Sequence, residues 1–247
     1  MKKILKYIFK RPYNVYQDVY NRLYNIETAL DCLIEKPLWV DEPETGFNEQ
    51  QFRKQIFIEL VASIKFTAII ETGTWIGNTT GYMSRQSNLP LYTGELDKRY
   101  FALAKMRLKN FSNIFFTNDD SRNFLSGLDI DTANGTYFFY LDAHWYDDLP
   151  LKEELAIICN RFKSFVIMID DFKVPDDAGY GYDNFGRETN LSLEKFEKQF
   201  RALNLKMYFP AVRSDMETGK KRGCIILSNT KELEGTLNKT GTLKKYD

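Results

Sequence analysis

The sequence predicts an α/β fold: an open, mostly parallel sheet of seven strands, helices on both faces, a closing antiparallel strand near the C-terminus, and a helical extension at the N-terminus. Three observations carry this. After residue 65, short apolar runs rich in β-branched and aromatic residues alternate with helix-like stretches, the pattern of βα units. The runs are apolar on both sides, as strands of a sheet covered on both faces must be. The last two runs are joined by a charged turn and can pair as a hairpin, so one of them runs against the rest. The expected organisation is 1–47 extension, 48–230 main domain and 231–247 polar tail.

Met1–Arg11 (MKKILKYIFKR) places five basic residues around Ile4, Leu5, Ile8 and Phe9. It is too short and interrupted to cross a bilayer and no small-residue cleavage site follows. Two readings fit: peripheral contact with an anionic inner membrane surface, or docking of the apolar side on the chain's own domain or on a second copy in a homo-oligomer. Tyr13–Ile34 has helical spacing, with Val15, Tyr16, Val19, Tyr20, Leu23, Tyr24 and Ile26 on one face. Trp39–Phe47, with Pro43 and Gly46, is a linker. Asn48–Lys65 is helical, with Phe52, Ile56, Ile58, Leu60 and Val61 expected inside. The predicted strands are Phe66–Glu71, Pro90–Leu96, Asn113–Thr117, Thr136–Asp142, Phe165–Asp170, Leu205–Ala211 and Gly223–Ser228. Between them fall helices at Thr79–Arg85, Lys98–Lys109, Asp120–Leu125, Leu151–Arg161 and Ser192–Leu203, and a polar loop at Lys173–Arg187.

Composition narrows the function. The 34 basic and 34 acidic side chains cancel, which argues against a protein built to hold nucleic acid. Cys32, Cys159 and Cys224 form neither a disulfide framework nor a zinc pattern and fit a reducing, cytoplasmic setting. A single His, His144, excludes His-rich metal sites.

In an open parallel sheet, ligands bind beyond the carboxyl ends of the strands near the switch in strand order. The first strand runs into Glu71-Thr-Gly73-Thr74-Trp75-Ile-Gly77-Asn78-Thr79. Gly73 and Gly77 allow tight turning and close backbone approach to a ligand, or turning alone, and Asn78 or Thr79 can cap the next helix. The glycine spacing is not the dinucleotide fingerprint. The second strand ends at Glu95, placed to accept the hydroxyls of a ribose. The third ends before Asp120-Ser121, where an acid could meet an adenine amino group. Carboxylates after three successive strands suit an adenosine bearing a cationic centre, S-adenosylmethionine, better than one bearing phosphates, which want basic groups and a bare helix N-terminus.

With these residues in view, the chain resembles class I S-adenosylmethionine-dependent methyltransferases over roughly Asn48–Ser228, a Rossmann-like fold with a closing antiparallel strand. The resemblance implies that Glu71 and the loop Gly73–Gly77, with Thr74, Trp75 and Thr79, lie beside the methionine part, Glu95 at the ribose, and Asp120 with Ser121 near the adenine.

The fourth and fifth strands end in Asp142-Ala-His144-Trp145 and Asp170-Asp171. Three carboxylates at neighbouring strand ends can converge on a hard divalent cation such as Mg2+; the alternative is that Asp170-Asp171 terminates its strand and bonds its own loop. Asp142, Asp170 and Asp171 look like the metal ligands of magnesium-dependent O-methyltransferases of the catechol and the macrocin and cephalosporin-tailoring types. The catechol type has a lysine base after this aspartate, where the present chain has His144, Trp145 and Tyr146. An imidazole there suits removal of a hydroxyl proton, orientation of a metal-bound water, or packing under the loop. Tyr180, Tyr182, Asp183 and Arg187 of the polar loop, with Trp145 opposite, are expected to stack on and bond a sugar, so that the acceptor is a small molecule or glycan hydroxyl. Two rival readings are an oxidoreductase on a similar sheet and a non-catalytic adenosine-binding module.

Overall fold

The computed structural model describes residues 45–144, 148–184, 186 and 190–247, together with Val19 and Leu23. The chain divides between Glu42 and Pro43, and every element named below lies after that point. The basic stretch Met1–Arg11 and nearly all of the helix expected over Tyr13–Ile34 lie outside the described residues.

A short 3-10 turn, Phe47–Glu49, leads into α1 (Gln51–Ser63), followed by β1 (Ala68–Thr72), α2 (Asn78–Ser87), β2 (Leu91–Gly94), α3 (Lys98–Arg107), β3 (Ile114–Thr117) and α4 (Ser121–Gly127). Then come β4 (Thr136–Leu141), α5 (Leu151–Arg161), β5 (Ser164–Asp170), α6 (Leu193–Ala202), β6 (Lys206–Pro210), β7 (Cys224–Ser228), α7 (Lys231–Leu237) and β8 (Leu243–Tyr246). The strands form one sheet in the order β3-β2-β1-β4-β5-β7-β6-β8. Pairing is parallel from β3 through β5, and antiparallel for β5–β7, β6–β7 and β6–β8. The order reverses between β1 and β4, which opens a crevice above their carboxyl ends.

Burial follows pairing. Phe138, Phe139 and Leu141 of β4 and Phe165 to Ile169 of β5 are fully buried, because central parallel strands carry side chains into covered layers on both faces. At the free edge β3 has one covered face, and Phe115 lies half exposed, stacked on Tyr92 with ring centroids 4.9 Å apart.

Three expectations are corrected. The sheet has eight strands, because the segment read as a polar tail forms α7 and β8. Thr230 caps α7 by accepting from the Leu233 N–H, Leu233 and Leu237 are buried, and Tyr246 packs edge-on against Phe209. An edge strand such as Leu-Lys-Lys-Tyr tolerates lysines that face water, so it leaves no apolar run to read. Second, the inner stripe of α1 is Arg53, Ile56, Phe57 and Leu60, with Ile58 exposed; this is the i, i+3, i+4, i+7 stripe of a helix with a charged residue inside it. Third, neither Asn78 nor Thr79 caps α2: Gly77, in the left-handed region at φ 82°, precedes it. Thr79 Oγ1 accepts from the Phe47 N–H, and Asn78 Oδ1 from Arg107.

Candidate functional site

The loop after β1 is shaped by its glycines. Gly73 has φ 84°, and a Cβ there would sit 2.3 Å from the backbone oxygen of Asp142. No side chain fits where β1 and β4 meet, and the backbone itself lines the crevice. Gly73 N–H donates to the Gly94 carbonyl, and Asp142 N–H to the Thr72 carbonyl, so the ends of β1, β2 and β4 are tied together. The loop exposes the Trp75 ring, half in solvent and edge-on to Tyr100.

Glu71 is buried beneath this loop. One of its oxygens accepts from the Thr80 and Thr93 hydroxyls at 2.6 and 2.7 Å, and Thr93 also meets the Thr74 hydroxyl. Burial pushes the Glu71 carboxyl up to about 7 against the help of those hydroxyls. Glu95 is held at the end of β2 by two backbone donors, Trp75 N–H at 2.7 Å and Asp97 N–H at 2.9 Å. Burial raises its pKa as well. Asp120 caps α4 and is gripped by Arg122, whose Nε and Nη2 reach its two oxygens at 2.8 and 2.6 Å. That contact holds the Asp120 carboxyl below its ordinary value, and Arg122 also reaches Asp148 beyond β4. Ser121 is buried at the start of α4.

At the ends of β4 and β5 stand the carboxylates expected to hold a cation. Asp142 has a side chain 35% exposed, and its nearest basic group among the described residues is His144 Nε2 at 3.9 Å. Burial, then the charges of Asp170, Asp171, Glu71 and Asp183, raise its pKa well above the usual carboxylate range. Asp170 is fully buried and bonded to the Arg53 guanidinium, the Tyr140 hydroxyl and the Asp171 N–H. Burial opposes its charge, but Arg53 and Tyr140 outweigh it and hold the pKa low. Asp171, at φ 52°, accepts from Arg222 Nε at 2.6 Å, and the other arm of Arg222 holds Asp183. Burial and then Asp170 push the Asp171 carboxyl up to about 7.

His144 is buried, its Nε2 3.2 Å from the Asp170 carbonyl, and its Nδ1 has no hydrogen-bond partner among the described residues. Burial drives its pKa down to about 4, so the ring is neutral at physiological pH. Tyr180, expected to face an acceptor, is buried in the core and donates its hydroxyl to the Val212 carbonyl. An aromatic body with one hydroxyl is easily buried once that hydroxyl finds a partner. Tyr182 remains partly exposed with Lys173 over its ring. Trp145 and Arg187 lie outside the described residues.

No family model matches the sequence, and no curated protein matches it. Solved structures do share its fold. An O-methyltransferase from Streptomyces achromogenes involved in tomaymycin synthesis, solved with S-adenosylmethionine, superposes with a TM-score of 0.54 at 15% identity, over 83% of this chain and 96% of that one. An O-methyltransferase from Bacillus cereus in complex with S-adenosylhomocysteine gives 0.52 at 15% identity, over 72% and 80%. A methyltransferase from Podospora anserina bound to S-adenosylhomocysteine gives 0.51 at 14% identity, over 72% and 78%. At such identities the likeness establishes the fold, and the expected Rossmann-like α/β architecture stands.

Residues that the sequence reading passed over complete the site. Arg53 and Arg222 neutralise the aspartates at the end of β5. Glu154 on α5 is wholly buried, and neither of its oxygens has a hydrogen-bond partner among the described residues. The signal for Arg53 was present: a charged residue inside an apolar helical stripe needs a buried counter-charge.

Proposed function

We propose that the chain is an S-adenosylmethionine-dependent O-methyltransferase. The observation that carries the reading is the cluster of acidic groups at the reversal of strand order, where the backbones of Gly73 and Asp142 lie against each other and the Asp142 carboxylate is partly exposed. A crevice lined by carboxylates at a switch point suits a nucleoside with a cationic centre and repels phosphates. The donor set fits such a ligand: Glu95 is fixed by backbone N–H groups with lone pairs to spare for a ribose, Gly73 allows close approach, and Asp142 pairs with no Lys or Arg among the described residues.

When bound, S-adenosylmethionine supplies an activated methyl group on a sulfonium leaving group. The protein aligns an acceptor hydroxyl and takes its proton. Asp142 is the group suited to take it, because it stands partly exposed at the end of β4 and neither arginine of the cluster holds it. His144, the base expected from the sequence, is buried and only weakly basic, and its Nε2–H is turned to the Asp170 carbonyl. Held near Gly73 and Glu95, the cofactor would supply the methyl group and its own leaving group, and Asp142 would take the acceptor's hydroxyl proton. For the acceptor we favour a sugar or glycosylated compound, for which the partly exposed Tyr182 ring offers a stacking face; Tyr180 is buried and Asp183 is taken up by Arg222.

The test is calorimetric titration of the folded protein with S-adenosylhomocysteine. One-to-one binding is expected, followed by methylation of hydroxyl acceptors in a screen. Absence of binding would remove the reading.

A further inference from the structure

The carboxylate cluster expected to hold a divalent cation already contains two positive charges. A carboxylate offers about four lone-pair sites, and three on Asp170 are used, by Arg53 and the Asp171 N–H on Oδ1 and by the Tyr140 hydroxyl on Oδ2. Arg53 is as buried as its partner, and its second terminal nitrogen donates to the Arg222 carbonyl. Turning it aside would strand a guanidinium and a carboxylate in the core together. Asp171 is held by Arg222, which also binds Asp183. Mg2+ requires a near-octahedral shell of oxygens at short range, and the oxygens of Asp170 and one oxygen of Asp171 are already engaged by arginines, a hydroxyl and a backbone N–H. Among the described residues, Asp142 is the one expected ligand that no arginine holds, and no group of three or more His, Cys, Asp or Glu could hold a metal ion. The magnesium site implied by the resemblance does not fit these residues.

We infer that Arg53 and Arg222 are the resident cations of this site and that the chain acts without a divalent metal. This rests on the reading of the crevice as a methyl-transfer site. Arg53 is then a positioning residue. It fixes Asp170, whose carboxylate orders the Tyr140 hydroxyl and whose carbonyl meets His144 Nε2 at 3.2 Å. It comes from α1, a helix that precedes the first strand of the sheet, so the helix ahead of the sheet supplies the charge that a bound ion would otherwise bring.

The experiment is a Mn2+ titration of the full chain, followed by electron paramagnetic resonance, with and without S-adenosylhomocysteine. The wild type is expected to leave millimolar Mn2+ free, whereas one ion bound per chain and lost in Asp170→Asn overturns the inference. Arg53→Met uncovers Asp170 and is expected to gain Mn2+ binding that Arg53→Lys does not; a folded Arg53→Met that stays metal-free shows that Arg53 does not occupy the cation's place. If Arg53→Met does not fold, the wild-type titration decides. Calorimetry with S-adenosylhomocysteine on the same samples separates the two claims, since a folded chain that binds neither ligand loses the transferase reading while the metal result stands.

Discussion

Glu154→Gln should make this protein more stable, and only above mildly acidic pH. Glu154 is fully buried on α5, and neither oxygen has a hydrogen-bond partner of good geometry among the described residues. Burial raises its pKa from 4.5 to about 7, the nearby Ser121 and Thr72 hydroxyls offsetting this only in part. The folded state therefore binds the proton more tightly than the unfolded chain, and stability falls as pH rises from about 4.5 to about 7, then levels off. A difference of that size corresponds to about 3 kcal/mol at most, at 1.36 kcal/mol per pKa unit. Gln has nearly the same shape and no charge to desolvate. The variant should match the wild type near pH 4.5 and exceed it by up to ~3 kcal/mol at pH 8, or about 6–12 °C in Tm for a domain of this size. Urea unfolding of both proteins at a series of pH values measures the difference and cancels the titration of every other group. A gap that stays constant with pH, or a variant less stable at pH 8, would refute the assignment of a buried, ionisable, unpaired carboxylate.

Gly73→Ala forces a Cβ into the Asp142 backbone oxygen at a positive φ, so S-adenosylhomocysteine binding should fall at least about tenfold or the fold should lose several °C in melting. Glu95→Gln turns one acceptor oxygen into a donor facing a backbone N–H; about tenfold weaker binding, measured by calorimetry, is expected. Arg53→Met leaves Asp170 buried and unpaired and should cost about 3–5 kcal/mol in chemical denaturation. The double variant Arg53→Met/Asp170→Asn should recover much of that, and a strictly additive double variant would contradict the pairing.

Strands β4 and β5 were legible because burial on both faces demands unbroken apolar runs, and Phe138–Leu141 and Phe165–Ile169 supply them. The positions of Glu71, Gly73, Glu95, Asp142 and Asp170 at strand ends were legible for the same reason. Their partners were not. Asp170 reads identically whether its charge meets a metal ion or Arg53, and Arg53 lies 117 residues away in the chain. Tyr180 looked like an exposed loop aromatic because its acceptor, the Val212 carbonyl, belongs to another segment. Strand β8 escaped because a charged edge strand carries no hydrophobic period, and its pairing with β6 is the only thing that makes it a strand.

The ties of α1 have a kinetic consequence. Gln50 exchanges hydrogen bonds with Arg222, the Phe52 and Arg53 N–H groups meet Glu217, and Arg53 reaches Asp170. These contacts span 117 to 172 residues of sequence. On a ribosome α1 emerges long before any of them exists, and Arg53 waits in water until β5 and the turn before β7 have been made. Contacts of such separation are slow to close, so the last step of folding is expected to be the seating of α1. That same step delivers the guanidinium to Asp170, and a nascent chain acquires its finished crevice only when a helix made before the whole sheet meets the strands made late.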